Sequence, residues 1–370
     1  MRSTPGILAK LVVAAVMVVI TSGKSAAPSA AVSAAPPAFA SIGPLTFSAD
    51  GTLFAADTEQ ATIHAIDLGV TATGGAPGVK SIAALDQQVA ALLGTGVRDL
   101  SITDLAVHPK THNAYVSVMR GQGVGATPVL LRIDGAGTID IVDFAKLTST
   151  KVALPNPPSA AATSGFGRPS RGQSITDMAY MDGRLYVAGL SNEEFSSKLR
   201  SIAYPFTAAD NGTSVEIFHG SHGQFETRSP VYTFIPYKIG NEPNLIAGYL
   251  CTPLVKFPVS SLKPGAKVMG TTIAELGAGN RPIDMILYRK DGREFLLMSN
   301  TDRGVMKIPT DRFATAPGIT TPISDKAGIA YETVASMKGI EQLDLLDEGH
   351  SLVIARSSGG ALSLDALPLP

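Results

Sequence analysis

The chain has 370 residues, of which 45% are hydrophobic and 16% are charged. This composition is too apolar for a disordered protein, and the length is sufficient to bury a large core. The formal net charge is −1 and no run of lysines and arginines occurs. We therefore expect no nucleic-acid partner, because binding to phosphates requires a basic face.

The N-terminus has the pattern of a secretory signal peptide. Arg2 and Lys10 precede an apolar run at residues 11–20, and small residues follow. We predict a signal peptide and an Ala/Pro/Ser-rich leader over residues 1–34, with cleavage after Ala34 or as late as Ala40. The apolar run would rise only about 15 Å as a helix, half the thickness of a bilayer core. We therefore expect no stable membrane span after cleavage and a secreted or periplasmic location; the alternative is an uncleaved anchor.

Cys251 is the only cysteine in the chain. An intrachain disulfide is therefore excluded, and the hydrophobic core must provide the stability of the fold. The neighbours Tyr249, Leu250 and Leu254 are apolar. This setting is typical of a small buried residue rather than of a nucleophile.

A short motif recurs along the chain. Residues 101–106 read Ser-Ile-Thr-Asp-Leu-Ala, residues 174–179 read Ser-Ile-Thr-Asp-Met-Ala, and residues 281–286 read Arg-Pro-Ile-Asp-Met-Ile. Residues 41–45 and 339–343 fit the same position without the aspartate. A repeat of this kind indicates one structural unit per copy.

Each copy leads into a turn and then into short apolar strands. Tight-turn pairs such as Asp182-Gly183 and Asp291-Gly292 follow the motif, because glycine accepts a positive φ without steric cost. Four short strands at a period of about 50 residues are the pattern of a β-propeller. We therefore predict a single all-β domain over residues 41–370, a six-bladed β-propeller in which the first strand of each unit lines the central channel.

Some segments leave the strand count open. The sixth unit shows three strands, and a strand at 37–42 would complete it, so that N- and C-terminal strands close the ring. A seven-bladed ring is the alternative, but 151–174 is rich in Pro, Ser and Gly and favours a loop. The fourth strand of the first unit is predicted at 79–85, and residues 87–93 are compatible with a helix.

The repeated pattern of inner strand, turn and strand resembles the six-bladed propeller superfamily of NHL-repeat and SMP-30/gluconolactonase-like proteins. The resemblance covers residues 41–370 and concerns the fold, since its motifs are weak. It implies an exported member of this superfamily. Some proteins of this superfamily hold a metal at the channel mouth and use it to polarise a lactone or a phosphoester.

One face of a propeller is formed by the loops that precede the first strand of each blade and by the loops between its second and third strands. We name this the upper face, and we expect ligands to bind there because loops on a rigid scaffold carry most binding sites. Guanidinium groups bind carboxylates and phosphates at two points. The candidate ligand-binding residues are Arg98, Arg120, Arg228, Arg281, Asn300, Asp302, Arg303 and Arg356.

Two groups of residues are candidates for metal binding. Asp104, Asp177 and Asp284 occupy the same position in three copies of the motif, and converging carboxylates suit Ca²⁺. The alternative is structural: each aspartate would accept hydrogen bonds from backbone amides of the next blade. The second group is His219, His222 and Glu226, which are zinc-ligand types in a loop; the alternative is that they are ordinary loop residues.

The sequence contains no complete catalytic set, so we predict a binding or scaffolding propeller for a small anionic ligand or an extracytoplasmic partner protein. No cofactor is certain, and Ca²⁺ is the candidate. One alternative is a calcium-dependent hydrolase or lactonase of the SMP-30 type, and another is a quinone-dependent dehydrogenase. We expect a monomer.

Overall fold

A computed structural model describes Met1 and residues 34–69, 81–163 and 170–370. Each repeat unit folds as a small antiparallel sheet, and six such sheets form a ring. The predicted six-bladed β-propeller is therefore confirmed. The predicted signal peptide lies almost entirely outside the described residues.

We number the blades in the chain order of their innermost strands. From the inside outwards, the strands of the first three blades are as follows: in blade 1, Leu45–Phe47, Leu53–Asp57, Thr62–Asp67 and Thr148–Ala153; in blade 2, Leu100–Val107, Ala114–Arg120, Thr127–Ile133 and Ile139–Ile141; in blade 3, Asp177–Met181, Arg184–Leu190, Ser197–Ala203, Thr213–His219 and Gln224–Glu226.

The strands of the other three blades follow the same arrangement: in blade 4, Val231–Ile239, Glu242–Tyr249, Pro253–Pro258, Thr271–Leu276 and Lys326–Gly328; in blade 5, Pro282–Lys290, Arg293–Asn300, Met306–Pro309 and Glu332–Thr333; in blade 6, Ile340–Leu345, His350–Arg356 and Leu362–Pro368. The short strand Lys267–Met269 pairs in parallel with the fourth strand of blade 3.

The order of blades around the ring differs from their order in the chain. The inner strand of blade 1 contacts the inner strands of blades 2 and 3, and the inner strand of blade 6 contacts those of blades 5 and 2. Blade 2 therefore lies between blades 1 and 6, and the ring runs 1, 3, 4, 5, 6, 2. A separate apolar cluster fills each of the six interfaces between neighbouring blades.

The fourth strand of blade 1 comes from a different segment than predicted. Thr148–Ala153 pairs with Thr62–Asp67, after the chain has left blade 1 and built blade 2. In the predicted strand 79–85, Ile82 forms an isolated bridge and a helix begins at Leu85, while residues 79 and 80 lie outside the described part. The predicted loop at 151–174 therefore begins inside a strand. The helix Leu85–Leu93 agrees with the prediction.

Blade 6 is also completed by a different segment than the predicted strand 37–42. Ile82 and Leu364 exchange two backbone hydrogen bonds of 2.8 and 2.9 Å at the outer edge of this blade. Ala35 instead pairs with Ser149 of blade 1. The reason is the ring order: blade 6 borders blade 2, so the segment that leads into blade 2 is the one within reach. In the described part of the chain, no helix is long and apolar enough to cross a membrane.

Gly189, in the second strand of blade 3, allows a close approach of the loop that precedes this blade. A Cβ at this position would lie 2.1 Å from the carbonyl oxygen of Ser174. The backbone on both sides is held, since the amide of Thr176 donates to the carbonyl of Ala188 at 2.9 Å. The glycine therefore fixes how the upper-face loop of blade 3 sits on its sheet.

We predict that Gly189→Ala destabilises the fold by about 2–3 kcal/mol, because overpacking against held backbone cannot relax cheaply. Denaturant unfolding of the full chain measures this. The control is Gly172→Ala, where a Cβ would meet nothing within 4 Å and a change within about 0.5 kcal/mol is expected. Equal stability of the two variants would contradict the prediction.

Candidate functional site

The three predicted aspartates lie on inner strands and line the central channel, which forms a cavity of about 450 Å³. Asp344 of blade 6, which the sequence analysis did not select, lines the same cavity. All four side chains are half-buried. They form a ring of carboxyl groups around the channel axis, contributed by blades 2, 3, 5 and 6.

Each of these carboxyl groups links two neighbouring blades. One oxygen accepts a hydrogen bond from the amide of the next residue in its own strand, at 2.7–2.9 Å. The other accepts from an inner-strand amide of the adjacent blade: Asp104 from Leu45 at 2.6 Å, Asp177 from Phe234 at 2.7 Å, Asp284 from Leu343 at 3.0 Å and Asp344 from Val107 at 2.7 Å.

The threonine of the repeated motif makes a matching contact. Thr103 donates to the carbonyl of Ile42 at 2.8 Å, and Thr176 donates to that of Val231 at 2.5 Å. In the Thr-Asp pair of the motif, the threonine hydroxyl thus donates to a backbone carbonyl of the adjacent blade. The aspartate carboxylate accepts from a backbone amide of the same blade. These are the contacts of the structural alternative. The calcium site stays a prediction, and elemental analysis of protein purified without chelator tests it.

Burial raises the pKa of all four aspartates. The pKa of Asp177 is raised to about 7 and that of Asp344 to about 6, despite the backbone amides that favour the charged form. Burial raises the pKa of Asp104 and Asp284 well above the usual range, and repulsion from the other carboxylates adds to the effect. Stability should therefore depend on pH.

A larger pocket of about 1090 Å³ lies on the upper face. It is lined by loops of blades 3, 4 and 5, those before the first strands and those between the second and third strands. Four of the predicted residues line it: Glu226, Arg228, Arg281 and Asp302. Leu190, Leu250 and Phe225 supply apolar surface beside them.

Two arginines in this pocket have no carboxylate partner among the described residues. Within the described ranges, no carboxylate oxygen lies within 4.0 Å of the guanidinium of Arg228 or Arg281. The Arg281 guanidinium lies 5.7 Å from the centre of the Tyr232 ring. Arg228 makes one long hydrogen bond of 3.4 Å to the carbonyl of Glu194. Both groups are therefore available to an anion.

Asn280 organises the wall of the pocket between blades 4 and 5. Its buried amide donates to Asn300 at 3.0 Å and accepts from the backbone amides of Asp302 and Arg303 at 3.0 and 3.3 Å. The backbone carbonyl of Asn280 accepts a hydrogen bond from the backbone amide of Cys251 at 2.7 Å. Asn300 is thus a buried support below the pocket, while Asp302 lies at its surface.

The remaining predicted residues lie away from this pocket. Arg98 and Arg120 are exposed on blade 2. Arg303 donates to Asp325 at 3.0 Å and to the carbonyl of Ala278 at 3.1 Å. Arg356 pairs with Glu341 on blade 6, at 2.8 Å for one of two contacts. The structure therefore gathers part of the predicted binding set and distributes the rest around the rim.

The fourth and fifth strands of blade 3 form a hairpin that carries His219, His222 and Glu226. The Glu226 carboxylate lies 3.1 Å from Nδ1 of His219 and 2.5 Å from Nδ1 of His222. Burial alone would raise the pKa of Glu226, but the two imidazoles and the Ser229 hydroxyl outweigh burial and lower it to about 2. Glu226 is therefore an anion held against both rings.

Glu275 of blade 4 fixes the turn of this hairpin. Its carboxylate accepts from the amide of Gly220 at 2.6 Å and from the Ser221 hydroxyl at 3.1 Å. The imidazole centres of His219 and His222 are 3.9 Å apart.

Cys251 is not the buried residue that its neighbours predicted. It is partly exposed and lines the upper-face pocket, in the turn between the second and third strands of blade 4. Cys251 and Thr252 both adopt left-handed backbone conformations, with φ of 61° and 55°, which are uncommon for residues other than glycine. The apolar residues around Cys251 belong to the strands on either side of the turn.

No protein-family model and no curated protein match this sequence. Solved structures are similar to this chain at low identity. The full extracellular region of Plexin A4 is 9% identical with a TM-score of 0.40, over 90% of this chain and 40% of that one. This chain therefore spans less than half the length of the Plexin A4 extracellular region.

Two further solved structures are similar over most of both chains. An oxidoreductase (glucose dehydrogenase) from Thermus thermophilus is 14% identical with a TM-score of 0.32, over 89% of this chain and 97% of that one. The PQQ-bound aldose sugar dehydrogenase from Streptomyces coelicolor is 12% identical with a TM-score of 0.31, over 90% and 96%. These similarities indicate neither a substrate nor a partner for this chain.

The raised pKa of Asp177 predicts how stability changes with pH. Its pKa is higher in the folded state, about 7, than the ordinary value of 3.8, so the folded state binds the proton more tightly. The contribution of Asp177 to the stability of the fold is fully present below about pH 4 and is lost as the pH rises through about 7. The free energy of unfolding of the wild type minus that of Asp177→Asn should fall as the pH rises across this window. The decrease should be at most about 1.4 kcal/mol per pH unit.

Denaturant titrations at a series of pH values measure this difference. Asp177→Asn loses an amide contact at every pH, so the slope is the readout rather than the absolute stability. The exposed Asp99 provides the control, and Asp99→Asn should keep the wild-type slope. A wild-type slope in Asp177→Asn as well would show that the prediction is wrong.

Proposed function

We propose that this chain is an exported propeller that works in the periplasm or outside the cell and binds a small anionic molecule in the upper-face pocket of blades 3 to 5. The observation that carries the proposal is the pair Arg228 and Arg281, which line the pocket without a carboxylate partner in the described part of the chain. An unpaired guanidinium in a concave site recruits carboxylate or phosphate oxygens at two points.

The acidic groups of the pocket do not cancel these arginines by direct contact. The Glu226 carboxylate is already engaged by His222 and by the Ser229 hydroxyl, at 2.5 and 2.6 Å. Asp302 accepts from the Thr301 hydroxyl at 2.6 Å. The positive groups therefore remain free for a ligand, while the negative groups already have partners.

The other groups of the pocket suit the organic part of such a ligand. The Tyr232 ring lies beside Arg281, and Gln173 approaches the Tyr232 hydroxyl at 3.5 Å. Apolar surface comes from Leu190, Leu250 and Phe225. A few directed polar groups on a partly apolar wall are the usual composition of a small-molecule site. A sugar acid or a sugar phosphate has this combination of an anionic end and a larger body.

Neither alternative function gains a specific contact within the described residues. The hydrolase would use channel carboxylates whose oxygens already accept backbone amides. The quinone-dependent dehydrogenase rests on the fold alone, and a shared fold does not establish a function.

We predict that at least one anion from a panel of sugar acids, sugar phosphates, citrate and pyrophosphate raises the melting temperature of the full chain in a saturable way. Isothermal titration calorimetry with the best compound should show a loss of about 10–100-fold for Arg228→Ala or Arg281→Ala, since a hydrogen bond to a charged group contributes about 1.5–3 kcal/mol. Arg281→Lys should recover part of the loss through its charge.

The matched control is the double variant Arg98→Ala/Arg120→Ala, which removes two exposed arginines from blade 2 on the same face. It should bind the compound as the wild type does. Two results would refute the proposal: no anion of the panel stabilises the wild type, or the blade 2 variant loses affinity while the pocket variants keep it.

A further inference from the structure

Three metal-ligand side chains meet beside the upper-face pocket, and one of them, Cys251, lines it. His219, His222 and Cys251 each offer one ligand atom, and these three atoms lie within 4.8 Å of one another. It is the one such group of three among the described residues. Ligand atoms of a tetrahedral zinc ion are about 3.4–3.8 Å apart, given bond lengths of about 2.1 Å to nitrogen and 2.3 Å to sulfur. If the distances between these ligand atoms shortened by about 1 Å, the three atoms would have the spacing of zinc ligands.

One ring nitrogen of the buried His219 has no partner among the described residues. The side chain is 1% exposed; its Nδ1 lies 3.1 Å from the Glu226 carboxylate, whereas its Nε2 makes no hydrogen bond with the described residues. A buried donor or acceptor left in this state costs about 1–3 kcal/mol. A bound cation would turn that cost into a coordinate bond.

Glu226 sets the orientation of both imidazoles. Its two carboxylate oxygens lie next to the Nδ1 atoms of His219 and His222. A carboxylate at Nδ1 favours the tautomer with the proton on that atom, which leaves Nε2 free for a metal. Carboxylate, imidazole and metal in series are the usual outer arrangement of protein zinc sites.

Cys251 completes the group from a different blade. The left-handed turn at Cys251 and Thr252 places the cysteine against the hairpin of blade 3, and the amide of Cys251 is held by the carbonyl of Asn280 at 2.7 Å. Cys251 and Glu226 both line the pocket, and the His222 side chain is 42% exposed. Solvent therefore reaches this group of side chains from the pocket.

We propose that His219, His222 and Cys251 bind a zinc ion through the two Nε2 atoms and the thiolate, with Glu226 as the residue that positions both histidines. Two nitrogens and one sulfur suit zinc rather than calcium or magnesium, which take oxygen ligands. Three protein ligands leave a fourth position for water or for a ligand in the pocket. This site stands on its own ligands and does not depend on anion binding.

The experiment uses the full chain purified without chelator. Elemental analysis should find one zinc per chain, and zinc titrated into the chelator-stripped protein should bind with one-to-one stoichiometry. Replacement by Co²⁺ should give the charge-transfer absorption of a thiolate-bound cobalt ion. Zinc alone is the probe, so a failure here leaves the anion result unaffected.

The variants separate the ligands from the positioning residue. Cys251→Ser and His222→Ala replace partly exposed side chains and should fold as the wild type does, yet weaken zinc binding by more than about 100-fold. Glu226→Gln should weaken it by about 10–100-fold, the usual effect of an outer partner. His350→Ala is the control, because His350 also contacts a carboxylate, Asp347 at 2.9 Å, but lies outside the group; its zinc affinity should not change.

Two outcomes would overturn the proposal. One is the absence of stoichiometric zinc in the folded wild type. The other is unchanged zinc affinity in both Cys251→Ser and His222→Ala, which would place the ion elsewhere, such as at the channel aspartates. If no zinc binds and His222→Ala slows alkylation of Cys251, the group is a thiol–imidazole pair and the zinc site is refuted.

Discussion

The hydrogen bond from an inner-strand aspartate to a backbone amide of the adjacent blade is the contact on which this ring depends. It occurs at four of the six interfaces, in the same direction around the channel. A half-buried carboxyl group is stable there because both of its oxygens accept amides, whereas an unsatisfied one would be costly. The inner strands are thereby held at a fixed offset, and the upper-face loops, which begin at these strands, inherit their positions.

The path of the chain adds a second constraint. Blade 2 is built between the third and fourth strands of blade 1, so the chain must return to blade 1 before it continues to blade 3. The last strand of blade 1 therefore follows blade 2 in the chain, and blade 2 is also the neighbour of the last blade. The single bridge between Ile82 and Leu364 joins the segment before blade 2 to the C-terminal blade. Ring closure is in this way shared by the early and the late parts of the chain.

The sequence was sufficient for the repeating unit because its signals are local. Alternating strands, Asp-Gly turns and the Ser-Ile-Thr-Asp motif each act within about one hairpin, and they predicted six blades. Pairing over long distances leaves no such local signal, so the strand Thr148–Ala153 could not be assigned to blade 1. Asp344 was not selected from the sequence because it lies two residues beyond the position aligned with the other aspartates. The exposure of Cys251 was not predicted because it depends on backbone dihedrals in a turn. The apolar residues around Cys251 belong to buried strands.

The candidate site lies where the blades depart from the repeat. Blade 3 has an additional fifth strand, Gln224–Glu226, and blade 4 has no inner-strand aspartate. The additional strand brings Glu226 back to His219 and His222, and the turn of blade 4 brings Cys251 to the same place. None of these four side chains contributes to the inter-blade contacts of the channel. A buried imidazole nitrogen without a hydrogen-bond partner and a left-handed non-glycine turn both cost stability. Both features occur beside the same pocket, next to a second imidazole and a carboxylate, and this combination is what points to a ligand there.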